Sequence, residues 1–552
     1  MVSKAEPELH FLPLGGSNEI GMNLNLFAYG DQWLMVDLGI TFGDDTTPSL
    51  DIIMPDIRFI EGKRDKLLGL VLTHGHEDHI GAVPYLWSRL KCPVYATPFT
   101  ASLVRRKLAD ANLLDKVELH EVPLSGDMEI GPFKIDLVRL THSIPEPNGL
   151  AITTPAGVIY HTGDWKFDPE PVIGAPPDYA RLSNLGDNGV LALIGDSTNV
   201  FVNGETASES NLYADLSAIF KEHTGRVAMT SFASNVARLE TITRAALAAD
   251  RHVGLVGRSM WRIEAAAREN GYLSDLPPFV REDEIALLPA RHTAIICTGS
   301  QGESRAALSR IADGSHQHVS LGPGDTVVFS SRKIPGNERT IQRLQNRLIA
   351  GGIDIITDDD RFVHVSGHPS RGDLTRMYGL VRPQVAIPVH GEQMHLIAHA
   401  ALAKECQVPE AIVPNNGSLI RLYPGPAEII DQVPSGYLAL DGGRLKALNA
   451  ESIRDRNKLL YNGSVSATVV LNAKGDLLAD PTVALRGIDD GEAGVEASED
   501  LIDLVIDTVE TMSKSARQRD QSIRQQVEQA VRREIRQVYD KRPLVDIHLV
   551  RV

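Results

Sequence analysis

Apolar runs too short for helices, each bounded by Gly, Pro or Asp, punctuate the first third of the chain at residues 10–14, 24–27, 33–36, 69–72, 93–95 and 158–160. Runs of this length between turn formers predict strands of a buried sheet. Helices are predicted between them, one starting near Asp78 and running past Trp87 and one over residues 100–112. From about residue 211 to 356 the period lengthens. The helical pattern of residues 239–247 alternates there with strands at 226–230 and 326–329, which predicts an inserted α/β unit with a parallel sheet. Residues 385–390 return to the earlier strand-then-histidine style, so the first domain is expected to be split around the insertion. Past residue 450 a third unit is expected, with strands at 466–471 and 545–552 around two helical stretches. Ile523, Val527, Val531, Ile535 and Val538 recur there at helical spacing and predict a helix packed on its own small domain.

At 552 residues the chain exceeds what one core supports, and 43% hydrophobic with 23% charged residues is ordinary for globular protein, so two to four domains are expected. No apolar run approaches the roughly 20 residues needed to cross a bilayer, and residues 1–7 lack a signal peptide's apolar stretch; a cytoplasmic protein without a membrane partner is expected. Cys92, Cys297 and Cys406 stand far apart with no CxxC pair, which supports neither a disulfide framework nor a thiolate metal site. The net charge of -17 argues against coating a polyanion with the whole surface. A nucleic-acid substrate would need a local basic channel, for which Arg258, Arg262, Arg332 and Lys333 are candidates. Residues 489–510 carry nine acidic and no basic side chains, whereas 514–542 carry nine basic against four acidic, a polarity that suits either a solvated helix pair or an interface.

The chemistry concentrates in His74-Gly75-His76-Glu77-Asp78-His79, directly after a predicted strand. A tight turn there lets alternate side chains converge, and three imidazoles with a carboxylate can serve two cations. His142, Asp164 and His390 also follow predicted strands and would complete the ligand set. All-nitrogen-and-oxygen ligation fits Zn²⁺ or Mn²⁺. Two cations about 3.5 to 4 Å apart acidify a water and neutralise phosphate and leaving oxygens, which suits phosphodiester hydrolysis. The same centre would serve a lactone, thioester or β-lactam hydrolase.

This ligand series resembles the metallo-β-lactamase superfamily, whose αββα fold places such residues at one edge of two packed sheets. The resemblance implies that His74, His76 and His142 hold one metal, that Asp78, His79 and His390 hold the other, and that Asp164 bridges both. Asp37, at the end of a predicted strand, matches the superfamily's early Asp and would orient ligands rather than bind metal. The segments Gly195-Asp196-Ser197-Thr198-Asn199, Ser231-Phe232-Ala233-Ser234-Asn235, Thr298-Gly299-Ser300-Gln301-Gly302-Glu303, the stretch from Ser330 to Glu338, and His364-Val365-Ser366-Gly367-His368 are similar to the nucleic-acid-processing β-CASP group. With the third unit and its Lys541-Arg542-Pro543-Leu544-Val545, the whole chain resembles the ribonuclease J family.

That resemblance implies an α/β architecture: an αββα sandwich in two parts (1–210 and 361–447), an inserted β-CASP α/β domain (211–360) and a small C-terminal α+β domain (448–552). It implies a dinuclear phosphodiesterase, zinc first and manganese as the alternative. The expected activity is 5′-to-3′ exonuclease action on single-stranded RNA with a 5′-monophosphate, together with internal cleavage, in RNA decay and rRNA or mRNA processing. Asp78, Asp196 and His368 would act in catalysis, His368 giving a proton to the leaving 3′-oxygen, and Ser234, Ser331, His364, Ser366 and Gly367 would cradle the terminal phosphate. A homodimer or higher homo-oligomer is implied. The sequence departs from the family pattern at Glu146, where an Asp is usual, and in Pro369 with Arg371-Gly372-Asp373 after His368. Two rivals stay open: a small-molecule hydrolase on the same metals, and a noncatalytic RNA-binding subunit.

Overall fold

The computed structural model describes residues 6–43, 46–334 and 336–552. Residues 1–5, part of the segment read for a signal peptide, and Pro335, inside the motif from Ser330 to Glu338, lie outside them. Two units form, one from residues 1–41 and 54–436 and the other from 42–53 and 437–552.

In the first unit an eight-stranded sheet runs Glu428–Gln432, Ser418–Tyr423, Leu9–Gly15, Leu24–Tyr29, Gln32–Val36, Leu67–Val71, Val94–Ala96, Leu119–Glu121. A seven-stranded sheet runs Glu410–Ala411, Pro383–Val389, Val190–Asp196, Gly157–His161, Asn148–Thr154, Phe133–Arg139, Asp127–Ile130. Phe11, Phe27, Leu34 and Val71 of the first meet Ile135, Leu150, Ile194 and Ile387 of the second in one core. The pleat sorts neighbours to opposite faces. Ile159, Ala192, Ile194, Val385 and Ile387 point into the sandwich, while Tyr160, Leu193 and Ala386 point outward onto Leu182, Leu374, Tyr378 and Leu402 of the covering helices. Burial on both faces explains why these strands read as unbroken apolar runs. Each of the Val, Ile and Leu side chains contributes about 1.5–3 kcal/mol on leaving water. Helices on the outer faces complete the expected αββα layering.

The chain leaves the seven-stranded sheet after Asp196 and rejoins it at Pro383, laying Val385 parallel to Ala192. Between them it builds a five-stranded all-parallel sheet in the order His252–Val256, Thr293–Cys297, Val227–Thr230, Thr326–Phe329, Asp354–Ile356. Ala228, Ile295, Val327, Leu344 and Leu348 form its core. This is the predicted insertion.

In the second unit Ser464–Leu471 is central, parallel to Leu544–Arg551 and antiparallel to Thr482–Arg486. Its alternate residues Val465, Ala467, Val469 and Leu471 pack on Leu501, Val505 and Val509 of one helix and Ile523, Val527, Val531 and Ile535 of another. Among the described residues no helix is long and apolar enough to cross a membrane.

Three local expectations are corrected. The helix predicted from Asp78 through Trp87 is two, Glu77–Ile80 and Val83–Leu90, because Pro84 lacks an N–H and is tolerated only in the first turn of a new helix. The helix expected over 100–112 is Pro98–Asp110, again started by a proline. Val538 is 59% exposed, because the stripe continues at four-residue spacing to Tyr539, which packs on the core instead.

Candidate metal centre

Every expected ligand follows the carboxyl end of a strand of the two packed sheets. Gln32–Val36 delivers Asp37; Leu67–Val71 the loop from Thr73 to His79; Phe133–Arg139 His142; Gly157–His161 Asp164; Val190–Asp196 Asp196; and Pro383–Val389 His390. Asp37 and His390 adopt left-handed backbone, φ 62° and 53°, the kind of local strain that turns a side chain sharply off its strand. Gly39 has no tolerance for a side chain, since a Cβ there would lie 1.6 Å from the Asp78 carbonyl oxygen. That close approach seats the short helix Glu77–Ile80 against the end of Gln32–Val36.

Two groups of four donor atoms result, sharing one carboxylate. In the first, His76 Nδ1 lies 3.0 Å from His74 Nε2 and 3.1 Å from His142 Nε2, and Asp164 Oδ2 lies 3.9 Å from each of those two Nε2 atoms. In the second, His79 Nε2 lies 3.4 Å from Asp78 Oδ2 and 3.2 Å from Asp164 Oδ2, and His390 Nε2 lies 3.9 and 3.4 Å from the same two oxygens. A third triplet, Asp196, His368 and His390, adjoins them. The ring nitrogens facing away have acceptors of their own. His142 Nδ1 donates to the Gly367 carbonyl at 2.6 Å, His79 Nδ1 to Asp37 at 2.7 Å, and His390 Nδ1 to Asn23 Oδ1 at 3.0 Å. A proton is thereby fixed on each Nδ1, which leaves Nε2 as the nitrogen that a cation at the centre would take, displacing any proton there. His76 Nδ1 faces two ring nitrogens at about 3 Å, and a single proton there could serve only one of them, so the donor set fits a resident cation.

The electrostatics agree. Burial first, then the neighbouring imidazoles, push His74 and His142 well below the ordinary histidine range, and His76 down to about 4 through burial, so the three imidazoles of the first group are neutral. Around His79 burial opposes a proton, but Asp164, Asp78 and Asp37 outweigh it and hold the ring well above that range. Asp78 and Asp164 are burdened by burial yet held well below the usual carboxylate range, by His79 for Asp78 and by His390 and His79 for Asp164. The second group thus carries an excess of negative charge that a cation would balance.

Asp37 touches no outer solvent and binds three groups at once: His79 Nδ1, the Thr73 N–H at 2.8 Å and the Thr73 hydroxyl at 2.9 Å. Asp37→Asn keeps the shape but turns a donor toward the His79 N–H. Metal affinity is expected to fall about 10–100-fold, read by competition with a chromogenic chelator.

Beside the centre, His368 Nδ1 lies 2.8 Å from Asp196 Oδ2, and the other Asp196 oxygen accepts from the Thr198 N–H at 2.9 Å and hydroxyl at 2.7 Å. Burial lowers the His368 basicity, but Asp196 more than offsets it, with Asp164 and Asp78 adding, and the ring is raised to about 9. Of the expected phosphate-binding residues, Ser366 and Gly367 are tied to this edge: Asn199 Nδ2 donates to Ser366 Oγ at 2.7 Å, and Gly367 receives His142. Arg238 Nη1 lies 3.5 Å from His364 Nδ1, and the Ser331 hydroxyl accepts from Gln301 at 3.4 Å. Ser234 lies on a separate loop before the helix Val236–Leu247; among the described residues no hydrogen bond joins it to the other four. Of the candidate cations, Arg262 and Lys333 are paired at the surface with Asp110 and Asp359, while Arg332 reaches Asn199 Oδ1 at 2.8 Å and Arg258 is exposed.

Sequence reasoning missed Asn23 and Asn199. Asn23 spans the second group, its Oδ1 on His390 and its Nδ2 3.0 Å from His79 Nε2. A lone Asn in a loop carries no spacing signal.

Two face-packed sheets bearing such a centre at their strand ends define a metal-dependent hydrolase of the metallo-β-lactamase superfamily, and the superfamily's model matches residues 23–197. Further family models match 224–348 (ribonuclease J, β-CASP domain), 352–412 (Zn-dependent metallo-hydrolase RNA specificity domain) and 451–552 (ribonuclease J C-terminal domain). The ribonuclease J of Sinorhizobium meliloti is 43% identical over 552 residues, covering 99% of this chain and 98% of that one. Those of Synechocystis sp. and Thermus thermophilus are 37% and 36% identical, covering 87% and 85% of this chain and 76% and 84% of theirs. The chain belongs to the ribonuclease J family. A solved structure of a protein of unknown function from Enterococcus faecalis V583 shares the fold, with a TM-score of 0.53 at 17% identity, covering 75% of this chain and all of that one.

Proposed function

We propose that this metal-dependent ribonuclease works on two divalent cations, zinc first and manganese as the alternative, and degrades single-stranded RNA from a 5′-monophosphate end in the 5′-to-3′ direction, with internal cleavage as its second mode. The observation that carries the reading is the pair of four-donor groups joined through Asp164, with the His368–Asp196 pair at their edge. His74, His76, His142 and Asp164 would hold one cation, and Asp78, His79, His390 and Asp164 the other. The cations supply positive charge that acidifies a water and neutralises the phosphate oxygens.

The protein's own groups do the rest. Asp37, Asn23 and the Gly367 carbonyl hold a proton on the outward Nδ1 of His79, His390 and His142, so that Nε2 of each is the nitrogen turned to the cations. His368, whose imidazolium the Asp196 carboxylate stabilises at neutral pH, gives its Nε2 proton to the departing 3′-oxygen. Ser366, Gly367, His364, Ser331 and Ser234 form the terminal-phosphate pocket in this reading, built from hydroxyls and loop amides rather than full charges, which suits an acidic protein. The architecture is read as a sandwich domain in two parts, 1–210 and 361–447, around a β-CASP domain at 211–360, followed by the C-terminal domain at 448–552. A homodimer or higher homo-oligomer acting in the cytoplasm, in RNA decay and in rRNA and mRNA processing, completes the proposal.

The test is to incubate the protein with 5′-end-labelled and internally labelled RNA bearing a monophosphate or a triphosphate, with Zn²⁺, Mn²⁺ or Mg²⁺. Metal-dependent release of mononucleotides from the 5′ end, faster from the monophosphate, is expected. Turnover of a lactone or thioester without RNA cleavage would favour the small-molecule alternative.

A further inference from the structure

Four buried charges lie behind the centre, outside the ligand set and outside the mechanism above: Lys166, Asp168, Glu209 and Arg238 are each at most 5% exposed. Arg238 is fully buried and spends its guanidinium on five other residues, Glu209, Ser330, Val363, His364 and Val365. Nε and Nη2 grip the two Glu209 carboxylate oxygens. Nη1 donates to the Ser330 carbonyl and hydroxyl at 2.8 Å each and to the Val363 carbonyl at 3.3 Å, and Nη2 reaches the Val365 carbonyl at 3.4 Å. Ser330 Oγ in turn donates to the Val363 carbonyl at 2.7 Å. Within the segment from Val363 to Ser366 burial alternates. Val363 and Val365 are inside, and His364 and Ser366 are half-buried. One guanidinium thus fastens this loop through its backbone carbonyls, with Nη1 also 3.5 Å from His364 Nδ1, while Ser366 turns to Asn199.

The other end of the network reaches the metal-binding strands. The Glu209 N–H donates to Asp168 Oδ2 at 3.0 Å, and Lys166 Nζ lies 3.1 Å from the same oxygen. The Asp168 N–H donates to the Thr141 hydroxyl at 3.0 Å, and that hydroxyl donates to the Lys166 carbonyl at 2.7 Å. Thr141 precedes His142, and Lys166 lies two residues past Asp164. A continuous buried path therefore runs from the expected metal ligands His142 and Asp164, through two ion pairs, to the loop that ends in His368. Buried ion pairs add little net stability, because desolvation offsets their attraction; their best-attested use is to hold one register among several.

We infer that Arg238, braced by Glu209, is a positioning residue that holds the loop from His364 to His368 at a fixed distance from the metal centre, setting both the placement of His368 and the discrimination of the RNA 5′ end. This rests on the proposed role of that loop in protonation and phosphate binding. It assigns a function to a helix of the inserted domain that contributes nothing to the ligand set.

The readout is the ratio of kcat/KM for an RNA oligomer with a 5′-monophosphate to that for the same oligomer with a 5′-hydroxyl. The ratio cancels any difference in the amount of folded enzyme. In Arg238→Met it is expected to fall at least about ten-fold, with kcat on the monophosphate substrate also down and bound metal unchanged, since misplacing a binding group by about 1 Å costs up to about 100-fold. Ser330→Ala, which loses one hydroxyl and keeps the ion pair, is expected to lower the ratio about three-fold by the same reasoning; it is the deciding variant should Arg238→Met fail to fold. An unchanged ratio in the folded variants overturns the positioning role. A wild-type ratio near one would instead overturn the proposed 5′-phosphate pocket.

Discussion

His76→Ala is expected to abolish metal-dependent RNA cleavage, by on the order of 10³-fold or more, because a direct ligand should cost more than the roughly 10–100-fold lost with an outer partner. The geometry singles out His76. Its Nδ1 sits between His74 Nε2 and His142 Nε2, so its removal leaves the first cation with three donors and opens a path to water. The fold should survive. His76 is only half-buried and contributes nothing to the sandwich core, which is made by Phe11, Phe27, Ile194, Ile387 and their neighbours. The check pairs a cleavage assay with metal analysis and thermal unfolding: activity and about one equivalent of metal are lost while cooperative unfolding is retained. Full activity in this variant would sink the assignment of the centre.

The second large effect concerns proton delivery. His368→Gln is expected to lower kcat by about 10²- to 10⁴-fold, the range for loss of a positioned general acid, with both cations retained. Asp196→Asn should show the electrostatic part of the same role. Burial disfavours the protonated His368 ring and Asp196 outweighs burial, so the folded protein holds the proton to higher pH than an ordinary histidine, and the donor is lost as pH rises through that raised value. Removing the Asp196 charge takes away the raising interaction, and the alkaline limb of the kcat profile must move to lower pH. A limb that stayed in place would show that His368 is not the titrating donor.

The centre was largely legible because its residues are rare and punctuate strand ends: a run such as His74-Gly75-His76-Glu77-Asp78-His79 after an apolar strand leaves few structural alternatives. The layered core was legible for a similar reason, since strands buried on both faces cannot hide a polar residue without cost. What escaped has physical causes. Glu428–Gln432 lies at the edge of its sheet with every residue exposed, so no apolar pattern marks it. Pro84 lies in the first turn of Val83–Leu90 and marks a new helix start that the apolar pattern running through Ile80 and Val83 hides. Arg238 and Glu209 look like surface charges in a helical stretch; their burial follows only from the packing of segments separated by 29 and 125 residues. The phosphate pocket was read as one set, yet Ser234 stands on a loop of its own, because hydroxyls in loops carry no signal of which way they face.

The most direct test of the two-cation account is anomalous diffraction from crystals grown with zinc and, separately, manganese. Two peaks are expected, one among His74, His76 and His142, the other among Asp78, His79 and His390, each within ligand reach of Asp164, at roughly 3.5 to 4 Å from each other. A single peak at full occupancy, or peaks away from these side chains, would contradict it.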